Sequence, residues 1–373
     1  MPSFTAMLIM RLLCTGILAM LMICGRAQAD SQNYWTFQEY MTAFPEQRRL
    51  AEGFAERVRQ PARPWSAAAT PPVRIAMLTP DEQLSDYWSR SRLSLSRRLQ
   101  EMGLPHALQS YSFQPATPIR QQEQRLAEAL QGDPDYLIFT LNSPRHRILV
   151  EKLLARGHPK LILMNITTPL QSWGPNQPFF YVGFDHQEGT RLLTDAIGRL
   201  IGPSASYLML YGTQGHVSQA RGDEFIRLSA SQPGMVLRQA FYTDVERDKA
   251  SKAVLQALTA NPDINLIYAC TTDIAFGAAD ALKTLGRQDQ VLLNGWGGGS
   301  AELDALVRGE LDLTVMRMND DNGVAMAEAI RLDLEGQAHR LPRVYSGDFA
   351  VVDRHTPPAE LERLKAHAFR YSR

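Results

Sequence analysis

The sequence predicts an α/β protein built from two successive, largely parallel β-sheets. The first observation is that, from Val73 onward, short apolar runs alternate with amphipathic segments of helical periodicity. Each run and the segment after it occupy roughly 25–35 residues, which is the spacing of βαβ units. The second observation is that the alternation starts again after "FFYVGFDHQEG" (179–189). Two lobes of similar construction are therefore expected.

The first lobe is preceded by an aromatic-rich segment, "YWTFQEYMTAFPEQRRLAEGFAERVR" (34–59), which is expected to be helical. A polar, proline-containing linker separates it from the first apolar run. The predicted strands of this lobe are "VRIAML", "HALQSYSF", "YLIFTL" and "KLILMN", with helices near 87–102, 119–131 and 145–156.

The second lobe begins with a helix, because Leu193, Ala196, Ile197 and Leu200 are spaced as one apolar helical stripe. Its predicted strands are "SYLMLYG", "LRQAFYT", "INLIYAC" and "QVLLNGW", with helices near 220–230, 248–260 and 274–285. The remaining predicted elements are a helix at 301–308, the strand "LDLTVM" (311–316), a helix at 323–335, the strand "VYSGDFAVV" and a final charged helix.

The N-terminus has the form of a secretory signal. Arg11 precedes an apolar run at 12–24, and "RAQAD" then places Ala27 and Ala29 in an A-x-A arrangement. Cleavage after Ala29 removes residues 1–29; attachment of a lipid through Cys24 is the alternative. Only Cys270 remains after cleavage, so no internal disulfide can form. This pattern is typical of export to a bacterial periplasm.

The charge balance disfavours some classes of partner. Lys and Arg together number 39, as do Asp and Glu, so no overall field favours nucleic acid or an anionic membrane. No G-x-S-x-G, H-E-x-x-H or C-x-x-C occurs, and no histidine has metal-ligand spacing. The sequence therefore predicts a binding protein without catalytic residues, metal site or cofactor.

Polar or aromatic residues follow nearly every predicted strand, where ligands of open α/β sheets bind. Such a set suits a cleft between two lobes that holds a small polyhydroxylated ring. Amides and hydroxyls would bond the ring, tryptophans would cover its faces, and arginines would meet negative charge. The candidate ligand-binding residues are Gln83, Ser85, Trp88, Thr140, Asn165, Arg221, Thr272, Asp273, Trp296 and Arg317.

Most of these candidates also have an ordinary structural interpretation. Ser85 or Thr272 can cap a helix, and Asn165 can form a turn. Arg221 can make a surface ion pair. Sequence position alone leaves these alternatives open.

The stretch "NGWGGGS" (294–300) raises the question of a phosphate-binding loop, but no Lys follows Ser300 and the Walker pattern fails. Gly295 and Gly297 are instead expected to form a hinge, and Trp296 to form a wall of the cleft. Ser300 is expected to cap the next helix.

Several long segments in one order carry a specific resemblance. The chain resembles the LuxP-type periplasmic receptors for autoinducer-2, which belong to the ribose-binding class (type I) of periplasmic binding proteins. The resemblance covers nearly all of the chain after residue 29. Its most distinctive segments are "QLSDYW", "LILMNITTP", "YVGFDHQEG", "RGDEFI", "IYACTTD", "NGWGGGSAELDA" and "TVMRMNDDNGVAMAEAI".

The resemblance implies two Rossmann-like lobes joined by a hinge that the chain crosses three times. Crossings are expected near Val182–Asp185, Leu293–Gly297 and Arg343–Gly347. The implied division is a signal peptide (1–29), an N-terminal helical extension and linker (30–72), lobe 1 (73–183 plus 297–342) and lobe 2 (184–296 plus 343–373).

The resemblance also implies a ligand, autoinducer-2 as a furanosyl borate diester, with boron present only as part of that ligand. Arg221 and Arg317 match the two family arginines around the borate. The family positions that bond the ligand's oxygens correspond here to Gln83, Ser85, Thr140, Asn165 and Thr272. Trp88 corresponds to a position that lines the pocket. The implied partner is a LuxQ-type membrane sensor histidine kinase.

Two other functions remain open from the sequence. One is a neutral pentose or furanose binder that supplies an ABC importer, and the other is an enzyme acting on a small sugar.

Overall fold

The computed structural model describes residues 33–66 and 71–373. The predicted signal peptide and its cleavage site lie outside these residues. Within the part of the chain that is described, no helix combines the length and apolar character needed to cross a membrane.

The first lobe has a six-stranded parallel sheet in the order β11 (Val344–Ser346), β5 (Phe180–Gly183), β4 (Lys160–Met164), β3 (Tyr136–Thr140), β1 (Val73–Thr79) and β2 (His106–Ser112). Every residue of β3 is buried, as expected for a parallel strand covered by helices on both faces. The elements up to the first hinge crossing are α1 (Phe37–Ala43), α2 (Pro45–Arg59), β1 (Val73–Thr79), α3 (Tyr87–Met102), β2 (His106–Ser112), α4 (Ile119–Gln131), β3 (Tyr136–Thr140), α5 (Pro144–Arg156), β4 (Lys160–Met164) and β5 (Phe180–Gly183).

The second lobe has a six-stranded sheet in the order β12–β10–β9–β8–β6–β7, parallel except for β12 against β10. The elements after the first crossing are α6 (His186–Ile201), β6 (Ser204–Tyr211), α7 (His216–Ser229), β7 (Gly234–Tyr242), α8 (Arg247–Ala260), β8 (Leu266–Ala269), α9 (Thr272–Leu285), β9 (Leu292–Gly297), α10 (Ser300–Val307), β10 (Leu313–Arg317), α11 (Asp320–Leu334), β11 (Val344–Ser346), β12 (Phe349–Asp353) and α12 (Pro358–Ala368). The prediction of two α/β lobes with largely parallel sheets is confirmed.

The N-terminal extension and α11 belong to the core of the first lobe. Phe54 and Val58 of α2 pack with Val324 and Ile330 of α11 in one buried cluster that also contains Ile75 of β1. The final helix returns to the other lobe, because Leu364 and Phe369 join the second lobe's core.

The chain passes between the sheets at 184–185, 318–319 and 347–348. A crossing near Leu293–Gly297, and therefore a lobe 1 segment beginning at 297, is wrong. That segment is β9, and the following strand β10 pairs with it in the second sheet. The physical reason is that β10, whose five residues are all buried, is an interior strand of the second sheet, with β9 on one side and β12 on the other.

The predicted strand "VYSGDFAVV" is also two strands. Gly347 interrupts it, β11 pairs with β5 in the first sheet, and β12 pairs with β10 in the second. The third crossing therefore lies within this segment, at Gly347 and Asp348, between its two strands.

Candidate ligand-binding cleft

A cavity of about 110 Å³ lies between the two lobes and is lined by residues from both. It lies at the carboxyl ends of the strands, as the rule for open α/β sheets predicts. The structure brings nine of the ten candidate residues together around it: Gln83, Ser85, Trp88, Thr140, Asn165, Arg221, Thr272, Trp296 and Arg317.

The tenth candidate, Asp273, does not line the cavity. One of its carboxylate oxygens accepts a hydrogen bond from the backbone N–H of Leu84 at 2.9 Å. Leu84 belongs to the first lobe and Asp273 to the second, so this bond connects the lobes just behind Gln83 and Ser85. Burial raises the pKa of Asp273.

Arg221, on α7, is buried and rests on an aromatic face. Its guanidinium carbon lies 3.6 Å from the centroid of the Trp296 ring. One terminal nitrogen donates to the carbonyl oxygen of Cys270 at 2.8 Å, and Nε donates to Nδ1 of His186 at 3.4 Å. These contacts fix the plane of the guanidinium without neutralising its charge.

Arg317, the last residue of β10, is buried against another ring. Its guanidinium carbon lies 4.0 Å from the centroid of the Tyr87 ring. A Cβ atom added to Gly297 would lie 2.5 Å from a terminal nitrogen of Arg317, so only glycine leaves room for this side chain. The Nε atom of Arg317 is buried and has no hydrogen-bond partner among the described residues.

The two arginines give the cavity a positive charge that no ion pair with a described residue neutralises. Among residues 33–66 and 71–373, no carboxylate lines the cavity and none pairs with either guanidinium. Burial, and secondly the charge of Arg317, lowers the pKa of Arg221 to about 9. Burial likewise lowers the pKa of Arg317. Buried charge is costly unless it is paired, so an acceptor-rich or anionic ligand would be stabilised here.

Asn165 supplies an acceptor that nothing in the described chain uses. It follows β4 with φ 63°, a left-handed conformation that Asn tolerates better than most residues. Its buried side-chain oxygen has no hydrogen-bond partner among the described residues. Asn165 therefore does more than form the turn after β4, because it also presents a polar group to the cavity.

His186 connects ligand-site residues of the two lobes, and no residue pattern in the sequence indicates this role. Its Nε2 lies 3.2 Å from the carbonyl oxygen of Asn165, while its Nδ1 accepts from Arg221. Burial, and secondly the charge of Arg221, lowers the pKa of His186 well below its usual value. A neutral ring that donates through Nε2 and accepts through Nδ1 satisfies both contacts.

The side chain of Glu302 explains part of the requirement for glycine in the stretch 294–300. Its carboxylate accepts hydrogen bonds from the backbone N–H of Trp296 at 3.1 Å and of Gly298 at 2.8 Å. The hydroxyl of Thr272 also donates to it, at 2.7 Å. A Cβ atom at Gly295 would lie 2.6 Å from this carboxylate. Gly295 and Gly297 therefore make room for two long side chains, Glu302 and Arg317, within a strand of the second sheet, and the expected hinge does not lie here.

The lobes touch on both sides of the cavity, so the cleft is closed. The side chain of Asn142 in the first lobe donates to the hydroxyl of Thr213 at 3.1 Å and accepts from the backbone N–H of Val217 at 3.2 Å. The hydroxyl of Thr168 lies 2.7 Å from Nε2 of His216 in the second lobe.

Two lobes that enclose a cavity at the strand ends, joined by three crossings, define a class of protein that binds a small ligand by closing around it. The sequence model of the family described as "Periplasmic binding protein domain" matches residues 75–338. The chain belongs to this family.

Relatives and solved structures agree with that assignment. The ribose import binding protein of Salmonella typhimurium is 28% identical over 158 residues, which cover 42% of this chain and 53% of that protein. The chain thus spans about half the length of this relative.

Two solved structures have the same fold. A periplasmic solute-binding protein of an ABC transporter from Actinobacillus succinogenes, with bound D-allose, has a TM-score of 0.65 and 22% identity, over 78% of this chain and 99% of that one. A fructose-binding periplasmic domain of a hybrid two-component system has a TM-score of 0.69 and 20% identity, over 78% and 94% of the two chains. These relatives are named as binding proteins rather than enzymes.

Proposed function

We propose that the chain is a periplasmic quorum-sensing receptor that binds autoinducer-2, as its furanosyl borate diester, in the cleft between the lobes. The observation that carries the proposal is the pair of buried arginines, Arg221 and Arg317, in a cavity without a lining carboxylate. A tetracoordinate borate ester carries a negative charge, which two guanidinium groups can compensate through charge-assisted hydrogen bonds.

The other candidate residues support a ring rich in oxygen atoms. Thr140 and Asn165 come from the first lobe and Thr272 from the second, so such a ring would be bonded from both sides. Gln83 and Ser85 add an amide and a hydroxyl from the loop that Asp273 holds in place. Trp88 and Trp296 supply apolar walls.

Signalling would follow from closure of the lobes. A ligand shifts an equilibrium between open and closed forms only as far as it binds the closed form better. Arg221 lies on α7 of the second lobe, whereas Arg317 lies where the chain leaves that lobe and packs on Tyr87 of the first. A ligand held by both stabilises the closed form, which we propose is recognised by a LuxQ-type membrane sensor kinase. The resemblance to a binding domain of a two-component system is consistent with such a partner.

The second candidate is a binding protein that supplies a neutral sugar to an ABC importer. It is favoured by the names of the relatives, which include ribose and allose binding proteins. The donor-rich cavity argues against it, because a neutral sugar does not compensate two buried positive charges.

Export is part of the proposal. A signal peptide cleaved after Ala29 delivers the chain to the periplasm, and N-terminal sequencing of the protein from a periplasmic extract tests it. The expected first residue is Asp30.

Identifying the ligand that co-purifies tests the function. The purified protein is denatured, and the released small molecules are examined by mass spectrometry and for boron. The proposal predicts one equivalent of a boron-containing furanose, retained by the wild type and lost from Arg221→Ala. Recovery of a boron-free sugar would support the importer function instead, and conversion of added ligand to a product would indicate an enzyme.

A further inference from the structure

A second basic pocket, of about 370 Å³, lies on the outer face of the first lobe. It is formed where the N-terminal extension meets α11, and none of its lining residues lines the cleft. Four arginines line it: Arg57, Arg63, Arg331 and Arg340. We call it the arginine pocket.

The positive charges in this pocket are only partly compensated. Arg331 is buried, and its Nε donates to Glu335 at 2.8 Å. Its Nη1 is buried without a hydrogen-bond partner among the described residues. The nearest other carboxylate oxygen is Oε2 of Glu328, which lies 3.9 Å from Nη1 of Arg331 and 3.9 Å from Nη1 of Arg57.

Glu328 is already committed to another arginine. Its Oε1 accepts hydrogen bonds from Nε and Nη2 of Arg98 at 3.1 and 2.6 Å. No carboxylate of the described residues pairs with Arg63 or Arg340; the latter donates to the neutral amide of Gln337 at 2.9 Å. Four guanidinium groups therefore share the pocket with one lining carboxylate, Glu335.

The pKa of Arg57 is lowered by burial first and then by its arginine neighbours. Burial lowers the pKa of Arg57, Glu328 raises it, and Arg340, Arg63 and Arg331 each lower it further. An anion placed among the four groups would relieve their mutual repulsion and supply acceptors to donors such as Nη1 of Arg331.

We propose that the arginine pocket binds an oxyanion of the phosphate class. The planar guanidinium fork matches two oxygens of a tetrahedral phosphate, and several forks around one pocket can bond a single dianion. The phosphate group is either free or carried on a lipid headgroup. This site is separate from the cleft and does not depend on the ligand proposed there.

Calorimetric titration of the purified protein with inorganic phosphate tests the proposal. The double variant Arg63→Ala/Arg340→Ala removes two exposed arginines and leaves the buried Arg331 and the half-buried Arg57 in place. We expect it to weaken phosphate binding at least tenfold. Arg199→Ala, at an exposed position on α6 of the other lobe, is the matched control and should change affinity less than twofold.

Two further measurements distinguish this site from the cleft and from loss of folding. Arg317→Ala should leave phosphate binding in the arginine pocket unchanged, and the double variant should retain the wild-type thermal midpoint and its cleft ligand. Flotation with phosphatidylglycerol vesicles identifies where the phosphate group comes from. If the wild type floats with the vesicles and the double variant does not, the pocket binds a lipid headgroup. If the wild type binds inorganic phosphate but not the vesicles, the pocket binds free phosphate.

The proposal is overturned if the wild type binds neither phosphate nor vesicles. It is also overturned if the double variant binds as tightly as Arg199→Ala, or if Arg317→Ala abolishes phosphate binding.

Discussion

At the scale of the residue, the proposed function rests on two charged side chains that the fold buries without pairing. Arg221 and Arg317 each stack on an aromatic ring, at 3.6 and 4.0 Å, and these contacts hold the guanidinium planes in position before any ligand arrives. Such preorganisation reduces the cost of binding an anion, because the side chains have little freedom left to lose.

Replacing Arg317 with Ala should weaken binding of the proposed ligand at least tenfold, or about 1.4 kcal/mol. The reason is that a negative borate would lose one of its two positive partners. Titration calorimetry measures the affinity, and Arg199→Ala again serves as the control. An affinity equal to that of the control would show that Arg317 does not meet charge on the ligand.

Where a polar residue ends a strand or directly follows one, as Thr140 ends β3 and Asn165 follows β4, the sequence predicts that its side chain lines the cavity, and the structure places both there. The sequence does not predict His186 or Glu302, because their contacts with Arg221, Asn165 and Thr272 join residues 21 to 35 positions apart in the chain. Glu302 lies on α10 and supports Thr272 of α9, and His186 bridges α7 and the end of β4. Asn142, two residues beyond β3, could have been found by extending the inspection of strand exits.

At the scale of the element, the end of β9 shows why a glycine-rich stretch can have two explanations. Four glycines next to a predicted lobe boundary suggest a hinge. The structure shows a strand whose glycines make room for Glu302 and Arg317. Composition indicates that small residues are required, but only the packing shows what occupies the space.

Gly297→Ala should therefore displace Arg317 and weaken ligand binding at least tenfold. Its Cβ atom would meet the guanidinium at 2.5 Å. Gly309→Ala is the control, because Gly309 also has a positive φ, 73°, but a Cβ atom there would meet nothing within 4 Å. Both variants strain the backbone, and only the first should reduce affinity by calorimetry. Equal losses of affinity would mean that the strain, not the contact with Arg317, is responsible.

The order of elements is largely predictable from periodicity, whereas the allocation of the last strands is not. β10 and β11 are both short apolar runs, and nothing local to either run specifies its sheet. Pairing decides the matter: β10 pairs with the preceding strand β9 in the second sheet, whereas β11 pairs in the first sheet with β5, which lies about 160 residues earlier in the chain.

At the scale of the whole molecule, the closed form is held by contacts between the lobes in addition to any ligand. One such contact involves the N-terminal extension, since the ring of Tyr34 stacks on His216 with centroids 4.1 Å apart. Thr168 of the first lobe contacts the same histidine. Enclosure of His216 lowers its pKa to about 4 through desolvation.

Closure should accordingly weaken in acid. An open form, in which His216 has its ordinary pKa of about 6.5, binds a proton more readily than the closed form. The free energy that favours the closed form over the open form therefore has its full value above pH 6.5 and decreases as the pH falls toward about 4. Ligand affinity should fall up to about tenfold between pH 7.5 and 5.5. His216→Gln should flatten this dependence; an unchanged pH profile would assign it to other groups, such as His146, whose pKa burial also lowers.

The charge of the ligand is the central claim, and calorimetric titration with the boron-free autoinducer-2 precursor, with and without borate in the buffer, tests it most directly. The account predicts tight binding only when borate is present, and loss of that borate dependence in Arg317→Ala. Equal affinity with and without borate, together with displacement of the ligand by ribose, would contradict it and identify a neutral sugar as the occupant of the cleft.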